Sequence, residues 1–460
     1  MRKEKPMKRI ICLILALFML VSLVACGETD TPVETGDQQG ENTPTEAAPY
    51  TGEFKVGFSR VVITPTEAQM KSAGFNRVDS DLTATCVAFS DGKTTSLIYT
   101  IDTQNISQKY SDTVKARINS VTKIPKENIF ISAIHTHSSL YPDTNAAWAT
   151  SVFLPRMADA AKEAIADLTD ATAYLGEGKS TGMAFVRRYI NADGTMVSVN
   201  PVNQSVKSVS EADDTVLALR FVREGKKDVI ITNWQAHPAH AISAMPTSIS
   251  ADFVHYVRSG VEAADEDALV AYFSGALGNI NLNPPNRSMR KYKDFIEVGK
   301  ALANVVVDIT KTDKMTKLEV GNVTTTAEKY DAPMKKDSAD VVAAAQKNFD
   351  AGKATKEEKY IVSRNKEETI KMYLGCVSFG DIAFIAVPYE MFDNNGVQIR
   401  EQSPFKTTFI MTNADGDHAY MPSREAWEEY GGYETEATLF GSGTAELLVE
   451  EYVRILKSHR

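Results

Sequence analysis

Ile129-Phe130-Ile131-Ser132-Ala133-Ile134-His135-Thr136-His137-Ser138-Ser139 decides how this chain is read. An apolar run of strand composition stops, and two histidines follow it two residues apart. Along a strand, residues i and i+2 point to one face, so both imidazoles are expected to leave the sheet edge in one direction. Such a pair can supply two metal ligands, or one ligand and one acid/base neighbour. The chain has seven histidines in 460 residues, so two at one strand end are poorly explained by packing.

Working outward, the apolar runs alternate with amphipathic helical segments. Strands are expected at Phe54–Phe58, Val61–Thr64, Ser96–Asp102, Ala171–Gly176, Val216–Val222, Val229–Trp234, Ala268–Ser274, Gly375–Val387 and Thr407–Asn413. Helices are expected at Ser111–Val121, Ser151–Leu168, Phe295–Ile309 and Gly443–Lys457, with a charged, helix-rich excursion over Lys335–Lys366. This alternation predicts an α/β fold of mixed sheets flanked by helices, with ligands beyond the carboxyl ends of the strands. Four strand ends carry candidate chemistry: His135 and His137, then His237, then Glu390, then the segment running into Tyr420. Residues so far apart in sequence are expected to converge by sharing a sheet. Imidazoles with a carboxylate suit zinc, and no HExxH helix is present.

The N-terminus is read as an address. Arg2, Lys3, Lys5, Lys8 and Arg9 precede the apolar run Ile10–Val24, which ends in Leu23-Val24-Ala25-Cys26-Gly27. This is a secretory signal, too short for a comfortable membrane span. The small residue before Cys26 resembles a bacterial lipobox, which implies lipidation of Cys26 and a surface lipoprotein on the outer face of the cytoplasmic membrane. Residues 27–50 are polar, acidic and Thr/Pro/Gly-rich, as a flexible tether is, which leaves 51–460 as the folded domain. Membrane contact is then expected through the anchor alone. The net charge of −10, without a sustained basic block beyond the signal, excludes nucleic acid as a natural partner. Cys86 and Cys376 lie in apolar strand-like runs and are expected as buried free thiols.

Six motifs, taken in order, resemble the catalytic domain of the neutral/alkaline non-lysosomal ceramidases. They are Val56-Gly57 through Ile63-Thr64-Pro65, Ser132 through Ser138, Asn233 through Pro238, Gly278 through Asn283, Pro388-Tyr389-Glu390, and Tyr420-Met421-Pro422 through Gly432-Tyr433-Glu434. The resemblance implies zinc held by His135, His237, Glu390 and Tyr420. It implies His137 as the adjacent catalytic residue, Arg187 (in preference to Arg188) as the site arginine, and Tyr433 as the second tyrosine. The implied reaction is hydrolysis of an amide or ester by metal-activated water on a small-molecule or lipid-like substrate. A metal- or solute-binding lipoprotein without turnover is the other reading.

The chain also departs from the family. Asn279 and Asn281 stand where the family has aspartate and serine, so Asn281 takes the substrate-contacting place with a different side chain. Ser139-Leu140-Tyr141-Pro142 replaces a Gly-Pro, and Val62 replaces an aspartate. Little chain follows the tyrosine motif, so the family's C-terminal β-sandwich is not expected. The ligand set survives while substrate-facing residues differ, which points away from ceramide itself.

Overall fold

Most of the apolar runs become strands buried on both faces, which is why they lack polar alternation; Thr169–Lys179 is the part-exposed exception in the large sheet. Eight of them form one curved sheet: β1 (Lys55–Val62), β2 (Thr83–Ser90), β3 (Thr95–Ile101), β4 (Ile129–Ala133), β5 (Thr169–Lys179), β6 (Thr215–Arg223), β7 (Asp228–Trp234) and β8 (Ala268–Ser274). Their order is β8-β7-β6-β5-β1-β2-β3-β4, with Thr316–Leu318 added beside β5. A smaller sheet follows the order β9 (Thr324–Pro333), β10 (Thr369–Phe379), β11 (Ile382–Val387), β12 (Thr407–Thr412). The computed structural model describes residues 52–198, 207–282 and 290–460. The signal segment, Cys26, the 27–50 tether and Asn283 lie outside them. Gly52–Arg460 forms one unit, and no helix among the described residues is long and apolar enough to cross a membrane.

Within these two sheets three strand pairs are parallel: β3/β4, β7/β8 and β11/β12. A parallel pair needs a crossover. Here the crossovers contain helices α1 (Gln108–Thr122), α2 (Phe253–Ala264) and α3 (Asp393–Gln402). The large sheet curls until its ends meet: Thr100 Oγ1 donates to Tyr272 O at 2.6 Å and Ser274 Oγ to Ile134 O at 2.9 Å. Strand β12 closes the seam. Ser132 Oγ donates to Thr412 O (2.8 Å), Thr412 Oγ1 to Gly275 O (2.6 Å) and Asn233 Nδ2 to Ile410 O (2.9 Å).

The core follows from this curl. Phe54, Phe89 and Phe221 meet Phe379 and Phe384 of the small sheet, with Phe54 and Phe89 each 4.7 Å from the Phe379 ring. Each buried phenylalanine contributes roughly 1.5–3 kcal/mol over leaving it exposed. On the outer faces, α1 and Leu154–Ala166 cover β1–β4, α2 and Phe295–Ile309 cover β6–β8, and α3 and Thr444–Ser458 cover the small sheet. The layers run helix, sheet, sheet, helix.

Several expected elements differ in detail, and the strands expected at Phe54–Phe58 and Val61–Thr64 are one, β1. The strand expected at Asp381–Val387 is β11, and the Gly375–Val387 stretch as a whole is the hairpin β10–β11, which turns at Gly380 (φ +57°), where a Cβ would collide with Glu319 O. The helix expected at Ser151–Leu168 starts earlier, at Ala146, and passes through a wide turn over Ala149–Phe153 before Leu154–Ala166. The charged excursion forms helices Ala339–Asp350 and Lys356–Arg364. Cys86 and Cys376 are buried and free, and burial pushes the Cys86 thiol up to about 12.

Candidate metal centre

Each candidate residue leaves the carboxyl end of a strand belonging to a parallel pair. Strand β4 leads to His135 and His137, β7 to His237, β11 to Glu390, and β12 to Tyr420. The expectation that these strands share one sheet is corrected: β4 and β7 belong to the large sheet, β11 and β12 to the small one. Convergence comes from the seam between them. The strand-face argument for the histidine pair also gives way, because β4 ends at Ala133 and His135 has φ +73°. A left-handed residue outside the ladder, not pleat alternation, turns the rings toward each other. They lie edge to face with centroids 4.9 Å apart.

His135 Nδ1 lies 2.8 Å from Gln104 O and 2.9 Å from Asn105 Oδ1. His237 Nδ1 lies 3.0 Å from Ile280 O. These oxygens only accept, so both rings carry their hydrogen on Nδ1 and turn the Nε2 lone pair inward. Both lone pairs face one oxygen, Glu390 Oε2, at 2.9 Å from His237 Nε2 and 3.4 Å from His135 Nε2. His135, His237 and Glu390 are buried, and their three ligand atoms lie within 4.8 Å of one another. Three acceptor atoms set this close in a buried place repel one another unless a proton or a metal cation lies between them. The donor set therefore fits a metal ion, and the Nδ1 bonds are the outer contacts that orient metal-binding histidines.

The three groups are also coupled electrostatically. Burial lowers His135, but the Glu390 carboxylate outweighs it and its pKa lies above the ordinary value. Burial and then Arg187 push His237 down to about 4. Burial opposes ionisation of Glu390, yet His135 and His237 hold it well below the usual carboxylate range.

Glu390 is fixed by its backbone. Glu390–Met391 forms a short parallel ladder with Tyr420–Met421, and Gly278 N donates to Met391 O at 2.7 Å. A Cβ on Gly278 would sit 2.5 Å from Glu390 O, so only glycine permits this approach. Tyr420 is buried, stacks on His237 at 6.4 Å and has the Arg187 guanidinium 5.4 Å from its ring centre. Tyr433 lies 5.6 Å from Tyr420, ring to ring. His137 donates its backbone N–H to Pro238 O at 3.1 Å, and its Nε2 is buried without a hydrogen-bond partner.

The two arginines divide their work. Arg187 Nε donates to Glu434 Oε1 (2.8 Å) and Arg188 Nη1 to Glu434 Oε2 (2.6 Å). Arg188 also holds the carbonyl oxygens of Ala426 and Gly431, whereas Arg187 Nη2 is buried without a partner beside Tyr420. Arg187 is thus the arginine at the centre. Asn281 is half-buried on Ile280–Leu282, which pairs with Ala184–Val186 just before Arg187. Asn279 faces away: its Nδ2 donates to Asp393 Oδ1 (2.7 Å) and its Oδ1 accepts from Asp393 N (2.9 Å). An aspartate there would set two buried carboxylates face to face. Sequence reasoning passed over Asn105 and gave Glu434 no role. Asn105 stands in an unmarked polar turn after β3. The acidic Glu434 beside Tyr433 was a legible partner for two consecutive arginines.

Compared by sequence, the chain matches no protein-family model and no curated protein. Compared by structure, it matches neutral ceramidase from Pseudomonas aeruginosa with a TM-score of 0.64 at 14% identity, over 87% of this chain and 73% of that one. A ceramidase complexed with C2 matches with the same TM-score and identity, over 87% and 74% of the two chains. The order of layers and strands around this centre is therefore that of a neutral-ceramidase-like α/β fold.

Proposed function

We propose that the protein is a zinc-dependent hydrolase of amide bonds, with esters as the second substrate class. One observation carries the reading: two imidazole Nε2 atoms and a carboxylate oxygen meet in a buried place with the spacing of a metal-ligand set. The ceramidase-like fold supports amide hydrolysis. Imidazole and carboxylate donors suit zinc, with His135, His237 and Glu390 as ligands and Tyr420 as the fourth. Zinc held there would lower the pKa of water from about 15.7 toward 7 and polarise the scissile carbonyl.

The chain's own groups supply the rest. Arg187, held through Nε by Glu434, keeps Nη2 ready for the negative charge that develops on the carbonyl oxygen. Burial raises the Tyr433 phenol, so it stays protonated at neutral pH and can donate to the same oxygen. Burial, with His135 and His237 beside it, holds His137 well below its ordinary pKa and neutral. Its Nε2 can take a proton from the attacking water and return it to the leaving nitrogen. Asn281 takes the place of a substrate-contacting serine, and on that ground ceramide itself is not the proposed substrate. We place the enzyme at the bacterial surface, anchored through a lipid on Cys26.

A panel of N-acyl amides and esters, offered to zinc-loaded protein, tests the activity. The expected result is turnover of at least one class, abolished in His237→Ala and inhibited by a hydroxamate. Folded, zinc-loaded protein inert toward the whole panel would favour solute binding instead.

A further inference from the structure

Asp252 has a backbone that aspartate rarely adopts, with φ 55° and ψ −148°. Such conformations persist only where the surroundings over-determine them. The residue is fully buried. Main chain surrounds its carboxylate: Oδ2 accepts from His240 N (2.8 Å) and Ala241 N (2.6 Å), and Oδ1 from Phe253 N (2.7 Å). Burial pushes its pKa up to about 6 against the pull of those N–H groups. Capping α2 explains only the Phe253 contact, and any Ser, Thr or Asp with ordinary backbone angles would serve there. The second oxygen holds the turn that follows His237.

Ser250 extends the grip to the other histidine segment. Its Oγ accepts from Asp252 N (2.9 Å), its backbone N donates to Ser138 O (2.9 Å), and its carbonyl accepts from Thr136 Oγ1 (2.7 Å). His137 N closes the circuit on Pro238 O at 3.1 Å. Thr136, Ser138, Ser250 and Asp252 are all fully buried. The segments carrying His135 and His237 are thus joined through two residues that touch neither imidazole.

We propose that Asp252 is a positioning residue of the metal centre, holding with Ser250 the His237–Ala241 turn against the His135–Ser138 turn. This rests on reading His135, His237 and Glu390 as metal ligands. Metal–ligand distances fall within about 0.2 Å of their standard values, so a clamp between two ligand-bearing turns acts on affinity and coordination geometry.

Zinc affinity by chelator competition and the visible spectrum of the Co(II)-substituted site, both on the full chain, test it. Asp252→Asn, folded by circular dichroism, should bind zinc roughly 10–100-fold more weakly and shift the cobalt bands. Ser250→Ala should move both in the same direction, by less. Val306→Ala, a cavity at a buried position of the Phe295–Ile309 helix whose side chain takes no part in these hydrogen bonds, should lose stability and leave both unchanged. Wild-type affinity and spectrum in Asp252→Asn would overturn the proposal, as would an equal shift in Val306→Ala. Should Asp252→Asn not fold, Ser250→Ala decides by the same readouts. A wild-type chain that binds neither zinc nor cobalt removes the metal-centre reading itself, and this inference with it.

Discussion

At the residue scale, His135 and His137 share one turn and one chemistry, yet different contacts separate them. Neither Nε2 has a hydrogen-bond partner, but His135 Nδ1 is committed to Gln104 and Asn105, which aims its Nε2 at Glu390 Oε2 3.4 Å away. Removing a ligand empties a site, while removing its neighbour raises the barrier. His135→Ala is therefore expected to lose zinc, and His137→Ala to keep it and slow by roughly 10²–10⁴-fold. Zinc analysis beside kinetics checks both, and the reverse pattern would exchange their roles. Arg187→Met should cost roughly 10²–10³ in kcat, as loss of one oxyanion donor does. Glu434→Gln should instead act on folding, because it leaves Arg187 and Arg188 buried with their shared countercharge gone, at about 3–5 kcal/mol in denaturant unfolding. The proximity of these residues was legible, since His135, His137, His237, Glu390, Tyr420, Arg187 and Tyr433 lie together, and the variants above test their roles. The left-handed turn at His135 was not, because Thr103, Gln104 and Asn105 impose it from a distant turn that no local pattern marks.

At the scale of elements, the strands bearing the site were readable because burial on both faces makes them continuous apolar runs. Their assignment to two sheets was not, since pairing is set by the curl of the large sheet and by β12 at its seam. Crossover helices α2 and α3 escaped because polar and charged side chains turn inward along both, with Arg258 buried in α2 and Asp393 and Asn395 buried in α3, which breaks the apolar stripe that marks a covering helix. The loop Gly275–Asn279 deserves a test of its own, since Gly278 presses against the Glu390 carbonyl. Gly278→Ala should push the Glu390 ladder outward, costing about 1–3 kcal/mol of stability as overpacking does, and weakening zinc binding with it. Unchanged zinc affinity in the folded variant would show that Glu390 does not depend on this approach.

For the whole molecule, a metal that binds only the folded state adds RT ln(1 + [L]/Kd), about 4 kcal/mol when zinc exceeds Kd by about 1,000-fold. Spread over an unfolding entropy of about 2.1 cal/mol/K for each of roughly 400 residues, that is a rise of about 5 °C in Tm, reversed by chelator. Calorimetry with and without zinc reads it directly, and an unchanged Tm would mean no tight site. The anchor makes a separate prediction. Cys26→Ala should release the protein from the membrane fraction with its fold intact, and a mature wild-type chain that begins at another residue would contradict lipidation. The central claim stands on one point in space, between His135 Nε2, His237 Nε2 and Glu390 Oε2. Anomalous diffraction from a crystal grown with zinc, collected on both sides of the zinc absorption edge, tests it most directly. The expected result is a single strong peak among those three atoms and the Tyr420 phenol, present above the edge and lost below it; ordered side chains there without that peak, or a peak bound elsewhere, would contradict it.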